Sequence, residues 1–191
     1  LRAVFKDDVF SVSNNTFNFK KIEPNYVVNQ FEGQIDTGKM VSELLLKTQT
    51  AGIKILNNVA VESFSENPNS VFVKTNQVEF NTNKLFIATN GFAKQLLQEN
   101  VQPARAQVII TKPIENLHIK GTFHLDRGYY YFRNIDNRIL FGGGRNLDIK
   151  TEETTQFGQT ELIINSLKSI LQEIILPEKK IEIEYSWSGI M

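Results

Sequence analysis

Apolar and polar positions alternate most regularly near the end of the chain. There Ile181, Ile183, Tyr185 and Trp187 interleave with Glu182, Glu184, Ser186 and Ser188, the period of a half-exposed strand. The same two-residue period runs through 129–133: Tyr129, Tyr131 and Arg133 fall on one face, Tyr130 and Phe132 on the other. Turn formers follow at 134–137, and the chain returns through 138–142 with Ile139 and Phe141 on one side, so a hairpin is predicted. Residues 105–111 and 122–126 read as further strands joined by short turns, which favours antiparallel pairing. A 3.6-residue period appears twice. Met40, Val41, Leu44, Leu45 and Thr48 form a stripe within 36–52, with Asp36 to cap the first turn and Gly52 to stop the helix. Ile163, Leu167, Ile170, Leu171 and Ile174 mark the buried face of a helix over 160–174, with Pro177 just beyond it.

Shorter strands are predicted at 9–12, 26–29, 53–56 and 59–64, and a hairpin of 71–74 with 77–80 around Thr75-Asn76. Residues 84–89 differ. Leu85, Phe86, Ile87 and Ala88 are continuously apolar, as in a strand buried on both faces. That run ends at Thr89-Asn90-Gly91, and 92–98 looks helical. A buried strand opening into a small-residue turn and a helix is where open α/β sheets bind ligands. A plain strand-to-helix turn with Gly91 at positive φ accounts for the same residues. The order of elements predicts an α+β chain built on an antiparallel sheet with helices on one side.

Gly142, Gly143 and Gly144 close the second strand of the hairpin and are followed by Arg145. Three glycines there predict a bulge or a close backbone approach. An aromatic hairpin with Arg133, Arg145 and bare backbone at its end can hold a flat or anionic small molecule; on these residues alone an ordinary amphipathic hairpin over a core is the preferred reading. Composition narrows the choice. Lys+Arg and Asp+Glu both number 21 among 191 residues, which argues against nucleic acid or an anionic membrane as partner. No apolar run is long enough to span a bilayer. With no Cys and only His118 and His124, disulfides are excluded and a transition-metal site is not expected. Either histidine could serve as a general base, but no neighbour selects one. Glu152-Glu153 and the Glu182/Glu184 pair read as solvated charge. The chain contains no G-x-G-x-x-G, no P-loop and no G-x-S-x-G.

Taken in order, the motifs resemble FAD-dependent amine and amino-acid oxidoreductases, the glycine oxidase, sarcosine oxidase and D-amino acid oxidase relatives. Residues 33–64, GQIDTGKMVSELLLKTQTAGIKILNNVAVESF, are similar to a family segment in which a G-x-I-D-P turn opens a helix and a later valine meets the adenine with its backbone. Gly33, Ile35 and Asp36 match, Thr37 replaces the proline, and Val61 takes the valine position. KLFIATNGFA resembles the family's strand ending in Ala-Thr-Gly, with Asn90 as a variant. The resemblance therefore puts Val61, Ala88, Thr89 and Gly91 beside FAD. Tyr131-Phe132-Arg133 with 138–144 resembles the hairpin of the family's substrate domain, and 185–191 its W-[ST]-G approach to the flavin. In the glycine-oxidase branch a carboxylate-binding arginine follows that approach, where this chain has Met191. The resemblance then passes carboxylate binding to Arg133 or Arg145, or implies an amine lacking that group.

The resemblance implies this division: 1–32 and 99–185 in a substrate domain, 33–98 in part of a discontinuous FAD-binding α/β domain, and 186–191 returning to it. The chain opens Leu-Arg-Ala without Met or a signal-peptide pattern, and we expect it to be the interior of a longer, cytoplasmic enzyme. That parent would hold FAD and oxidise a C–N bond of a small amine or amino acid, with Tyr131, Arg133 and Arg145 on the substrate. No residue stands out as the catalytic acid or base. The fragment alone is not expected to bind FAD or to be active. The competing expectation is a stand-alone, non-catalytic module that binds a small molecule or a partner.

Overall fold

A computed structural model describes residues 1–177 and 179–191. In chain order the elements are α1 (Arg2–Phe5), β1 (Phe10–Asn14), β2 (Asn25–Asn29), α2 (Thr37–Thr50), β3 (Val61–Asn67), β4 (Ser70–Thr75), β5 (Glu79–Thr82), β6 (Arg105–Thr111), β7 (Thr122–Leu125), β8 (Tyr130–Ile135), β9 (Arg138–Gly143), α3 (Ile149–Glu152), α4 (Glu161–Ile170) and β10 (Ile183–Ile190). They fall into two units, one of Leu1–Gln34 with Ala104–Ile190, the other of Ile35–Pro103 with Met191.

The first unit is organised by an antiparallel sheet of order β10-β6-β9-β8-β7, beside the separate pair β1-β2. The central hairpin is tighter than its sequence predicts. Asn134 and Ile135 join the ladder, and Ile135 pairs with Arg138 across Asp136-Asn137 alone. Both turn residues have positive φ, 45° and 57°, the twist that suits a two-residue hairpin and that Asp and Asn tolerate. At the other end of the hairpin Gly143 has φ 121°, and a methyl group there would overlap the Tyr129 carbonyl oxygen and lie 2.7 Å from Tyr130 Cα. The Gly144 N–H donates to that same carbonyl at 3.0 Å. Backbone meets backbone here, so only glycine fits.

One sheet face is buried. Ile109, Phe141, Phe132 and Phe123 lie opposite one another across four strands. Phe123 and Phe132 stack at 4.6 Å, Phe132 meets Phe141 edge-on at 6.1 Å, and Phe19 closes edge-on against Phe123 and Phe132. Against this face α4 lays Ile163, Ile164 and Leu167, all buried. Burying each such side chain stabilises by about 1.5–3 kcal/mol. The buried stripe departs from the expected one. After Ile170 the helix widens into a π turn, Leu171–Ile175, in which the Leu176 N–H donates to Leu171 O at 2.8 Å. The extra residue rotates the face, so Leu171 and Ile175 go inside and Ile170 and Ile174 are only partly buried.

Glu152 corrects a second expectation. Rather than carrying solvated charge it is fully buried. Its carboxylate accepts from Arg105 Nε and Nη2 and from Gln107 Nε2, each at 2.9 Å, and from Thr160 Oγ1 at 3.2 Å. Burial pushes the Glu152 carboxyl up, but the bonds from Arg105, Gln107 and Thr160 and the guanidinium charge outweigh it and hold it below the ordinary value. Nothing in the spacing of Glu152-Glu153 revealed this, because the partners lie 45 and 47 residues back in β6. Of the other pair, Glu182 is exposed as expected and reaches Lys112 at 2.6 Å, whereas Glu184 is half-buried and pairs with Arg138.

In the second unit α2 starts where Asp36 accepts from the Lys39 N–H at 3.0 Å and stops at Gly52, φ 75°. Its apolar stripe, Met40, Val41, Leu44 and Leu45, is exposed. Strands β3, β4 and β5 form a three-stranded antiparallel sheet over Val73, which is buried. Two predicted strands do not form: 53–56 and 84–89 are irregular, and Phe86 is 87% exposed rather than buried. A strand needs a ladder partner for its backbone groups, and neither segment has one among the described residues. The helix expected at 92–98 is a 3-10 turn at Asn90–Gln95.

Two outcomes test these assignments. Gly143→Ala should cost about 2–4 kcal/mol by urea denaturation, whereas Gly33→Ala, with open space around its added methyl, should stay within about 0.5 kcal/mol. Because the folded-state pKa of Glu152 is depressed, its contribution is present at neutral pH and lost as pH falls below 4.5 toward the lowered value. Glu152→Gln should therefore be less stable at pH 7, with a shallower loss of stability over that acid range.

Candidate functional site

The other face of the five-stranded sheet is open at its edges, where Trp187, Tyr185, His124 and Thr122 are exposed, and more enclosed at its centre, where Val108 and Gly142 are buried. Residues directly opposite on paired strands share a face, and two such rows cross all five strands. One is Trp187, Val108, Gly142, Tyr131 and His124. The next, toward the hairpin turn, is Tyr185, Ile110, Leu140, Arg133 and Thr122. At about 4.8 Å per strand each row spans roughly 19 Å.

Trp187 and Tyr185 reach this face through a slip in pairing. Ile183 pairs with Thr111 and packs against the core, but the register shifts between Ile183 and Tyr185. One extra residue in a strand reverses the facing of all that follow. Ser186 and Ser188 thus oppose Ile109 and Gln107 on the buried side, while Tyr185 and Trp187 stand on the open side, 62% and 43% exposed. The alternation at 181–188 was legible; the bulge that turns its aromatic half outward was not.

At the centre of the first row Gly142 leaves room that Tyr131 fills. A methyl group on Gly142 would lie 2.6 Å from Tyr131 Oη and 2.7 Å from Cζ. The phenol ring therefore lies across the glycine, and burial pushes the Tyr131 hydroxyl above its ordinary pKa, so at neutral pH it is a protonated donor. The glycine run is explained by close approach within the hairpin itself. Arg133 is half-buried in the adjacent row. Arg145 is elsewhere: Gly144, φ 82°, turns the chain off the sheet into a short 3-10 turn, Arg145–Leu147. Five residues at about 3.3 Å each leave roughly 16 Å of chain between the Arg133 row and Arg145. Tyr131 and Arg133 thus stand in adjacent rows, and Arg145 lies in the 3-10 turn after the strand. His124 is exposed at the end of the Tyr131 row, and His118 Nε2 lies 3.2 Å from Phe17 O.

The flavin-side candidates lie in the other unit. Val61 opens β3 opposite Thr75, beside a register shift, and β3 is an edge strand. Its outer backbone groups meet no strand among the described residues. Ala88 and Thr89 are exposed in the irregular run, Asn90 has φ 47° and Gly91 is buried. Residues 84–89 likewise form no ladder among the described residues. A phosphate cradle is a different matter, since no glycine-rich strand-to-helix turn occurs in this sequence. Among the described residues no group of His, Asp and Glu could hold a metal, and no helix is long and apolar enough to cross a membrane.

Comparison with known proteins agrees with this architecture. A bifunctional ThiO/ThiG protein from Synechocystis sp. is 30% identical over 138 residues, covering 69% of this chain and 21% of that protein. Glycine oxidase from Bacillus cereus superposes with a TM-score of 0.78 at 15% identity, over 99% of this chain and 53% of the oxidase. L-Proline dehydrogenase from P. horikoshii does so with a TM-score of 0.71 at 21% identity, over 87% and 46%. NikD, an amino acid oxidase of nikkomycin biosynthesis, gives 0.74 at 10% identity, over 99% and 54%. The chain spans about half the length of these solved relatives. Residues 20–191 match the model of the FAD dependent oxidoreductase family, and the chain belongs to that family.

Proposed function

We propose that this chain is the substrate-facing part of a longer flavin-dependent oxidoreductase that oxidises a C–N bond of an amine or amino acid. The observation that carries the reading is the open sheet face. An aromatic and aliphatic surface surrounds the Tyr131 hydroxyl, and neither row contains a carboxylate. Arg133 stands in the second row, and its planar guanidinium suits a carboxylate. The names of the structural relatives, glycine oxidase, L-proline dehydrogenase and the amino acid oxidase NikD, point to the same substrate class. We assign 33–98 to the flavin side, 1–32 and 99–185 to the substrate side, and 186–191 to the return, a division within a few residues of the two structural units.

FAD, when bound, would accept the hydride from the carbon beside nitrogen. The residues assigned to hold it are Val61, Ala88, Thr89 and Gly91, mainly through backbone; the phosphates need residues from outside this chain. The remaining work falls to side chains of the sheet. Arg133 presents a planar fork that matches a carboxylate. The Tyr131 hydroxyl donates a hydrogen bond to a substrate oxygen or a neutral amine nitrogen. Trp187, Val108, Ile110 and Leu140 exclude water, which strengthens both contacts. Arg145 would serve a carboxylate only at the far end of the same face. A non-catalytic binding module has no observation in its favour.

Losing a charged hydrogen-bonded contact costs on the order of 1.5–3 kcal/mol, roughly ten- to a hundredfold. In the full-length flavoenzyme, Arg133→Met should lower kcat/KM for an amino-acid substrate by that factor. If neither Arg133→Met nor Arg145→Met changes kcat/KM in a folded enzyme, the hairpin is not part of the active site. The 191-residue chain alone should not retain FAD through purification or titrate to a stoichiometric yellow complex; either behaviour would contradict the assignment of the phosphate site to residues outside it.

A further inference from the structure

Behind the open face, one buried carboxylate gathers both ends of a loop. Glu152 begins residues 153–160 and Thr160 ends them, and Glu152 bonds both Thr160 Oγ1 and, on β6, Arg105 and Gln107. Gln107 adds bonds of its own: Nε2 donates to Thr160 Oγ1 at 2.8 Å, and Oε1 accepts the Thr160 N–H at 2.9 Å. The middle of the loop meets β10. The Gly158 N–H donates to Ser188 Oγ at 3.1 Å, and Ser186 Oγ donates to Gln159 Oε1 at 3.1 Å. Those two serines flank Trp187 in sequence and stand on the sheet side opposite to the indole, Ser186 exposed and Ser188 half-buried.

We propose that Glu152 is a positioning residue: through the loop 153–160 it grips β10 on both sides of Trp187 and sets where that indole stands on the open face. Among the described residues the edge strand β10 pairs with β6 alone and slips register between Ile183 and Tyr185, so its outer edge has no second ladder to hold it. The loop supplies a second restraint at the two residues next to Trp187. Gly158, φ 129°, gives the loop a backbone turn that side-chain-bearing residues rarely adopt. In the function proposed above, Trp187 forms one wall of the ligand face, and the significance of its position rests on that reading. The positioning itself does not.

Trp187 is the only tryptophan of the chain, so its emission reports the effect directly. Acrylamide quenching and emission maximum are compared for the chain and for Glu152→Gln, Ser188→Ala and Ser188→Thr, with far-UV circular dichroism as the check on folding. Glu152→Gln and Ser188→Ala should raise the quenching constant and shift the emission, with unchanged dichroism. Since Trp187 is already 43% exposed, the rise is bounded at roughly twofold. Ser188→Thr keeps the hydroxyl and should restore the wild-type values. Unchanged emission and quenching in folded Glu152→Gln and Ser188→Ala overturns the proposal. So does unfolding of both, which would make the cluster a general core element. No substrate enters this test, so a failure of the proposed enzymatic function leaves its outcome readable.

Discussion

The close passage of Gly143 against the backbone of Tyr129 and Tyr130 is the constraint on which the larger unit depends. No side chain fits there, so β8 and β9 meet in one register, with Tyr131 opposite Gly142 and Phe132 opposite Phe141. A slip by one residue would exchange the faces, sending both phenylalanines outward and Arg133 into the core. The positive φ at Asp136 and Asn137 closes the other end of the same hairpin. Held from both ends, the hairpin commits Phe132, Phe141 and Ile139 to α4 and leaves Tyr131 and Arg133 on the opposite face.

That opposite face is unusual for a sheet whose other side is already packed. It is apolar across its centre, carries one guanidinium in its second row, and places a desolvated phenol over a glycine. Burial disfavours the phenolate, so the hydroxyl stays a donor. The bulge after Ile183 adds Tyr185 and Trp187 to this face while sending Ser186 and Ser188 to the buried side, where a loop tied to Glu152 receives them. Glu152 and Arg105 hold structure behind this face, and Arg133 lies half-buried in its second row.

Much of this was legible from local pattern. The hairpin at Thr75, the capped helix after Asp36, the antiparallel block from Arg105 onward and the strand at 183–190 follow from period, turn chemistry and capping. The ordered motifs, rather than any one of them, carried the family resemblance. What escaped was nonlocal. The fate of Glu152 was decided by partners in β6, far away in sequence. The inner face of α4 turned at a π turn that its composition does not mark. Leu85–Ala88 reads as a buried strand, but such a strand exists only beside others, and in this chain Phe86 faces solvent. Arg145 shared a motif with Arg133 in sequence, yet it falls in a 3-10 turn after Gly144 and outside the strand.

The central claim is that a ligand lies on the open face over the Gly142–Tyr131 contact. The most direct measurement is a crystal structure of the full-length flavoprotein with a non-oxidisable carboxylic acid analogue of an amino acid. The account predicts the ligand against Trp187 and Val108, its polar groups within hydrogen-bond distance of Tyr131 Oη and the Arg133 guanidinium. A ligand bound with full occupancy elsewhere, leaving Tyr131 and Arg133 without contact to it, would contradict the account.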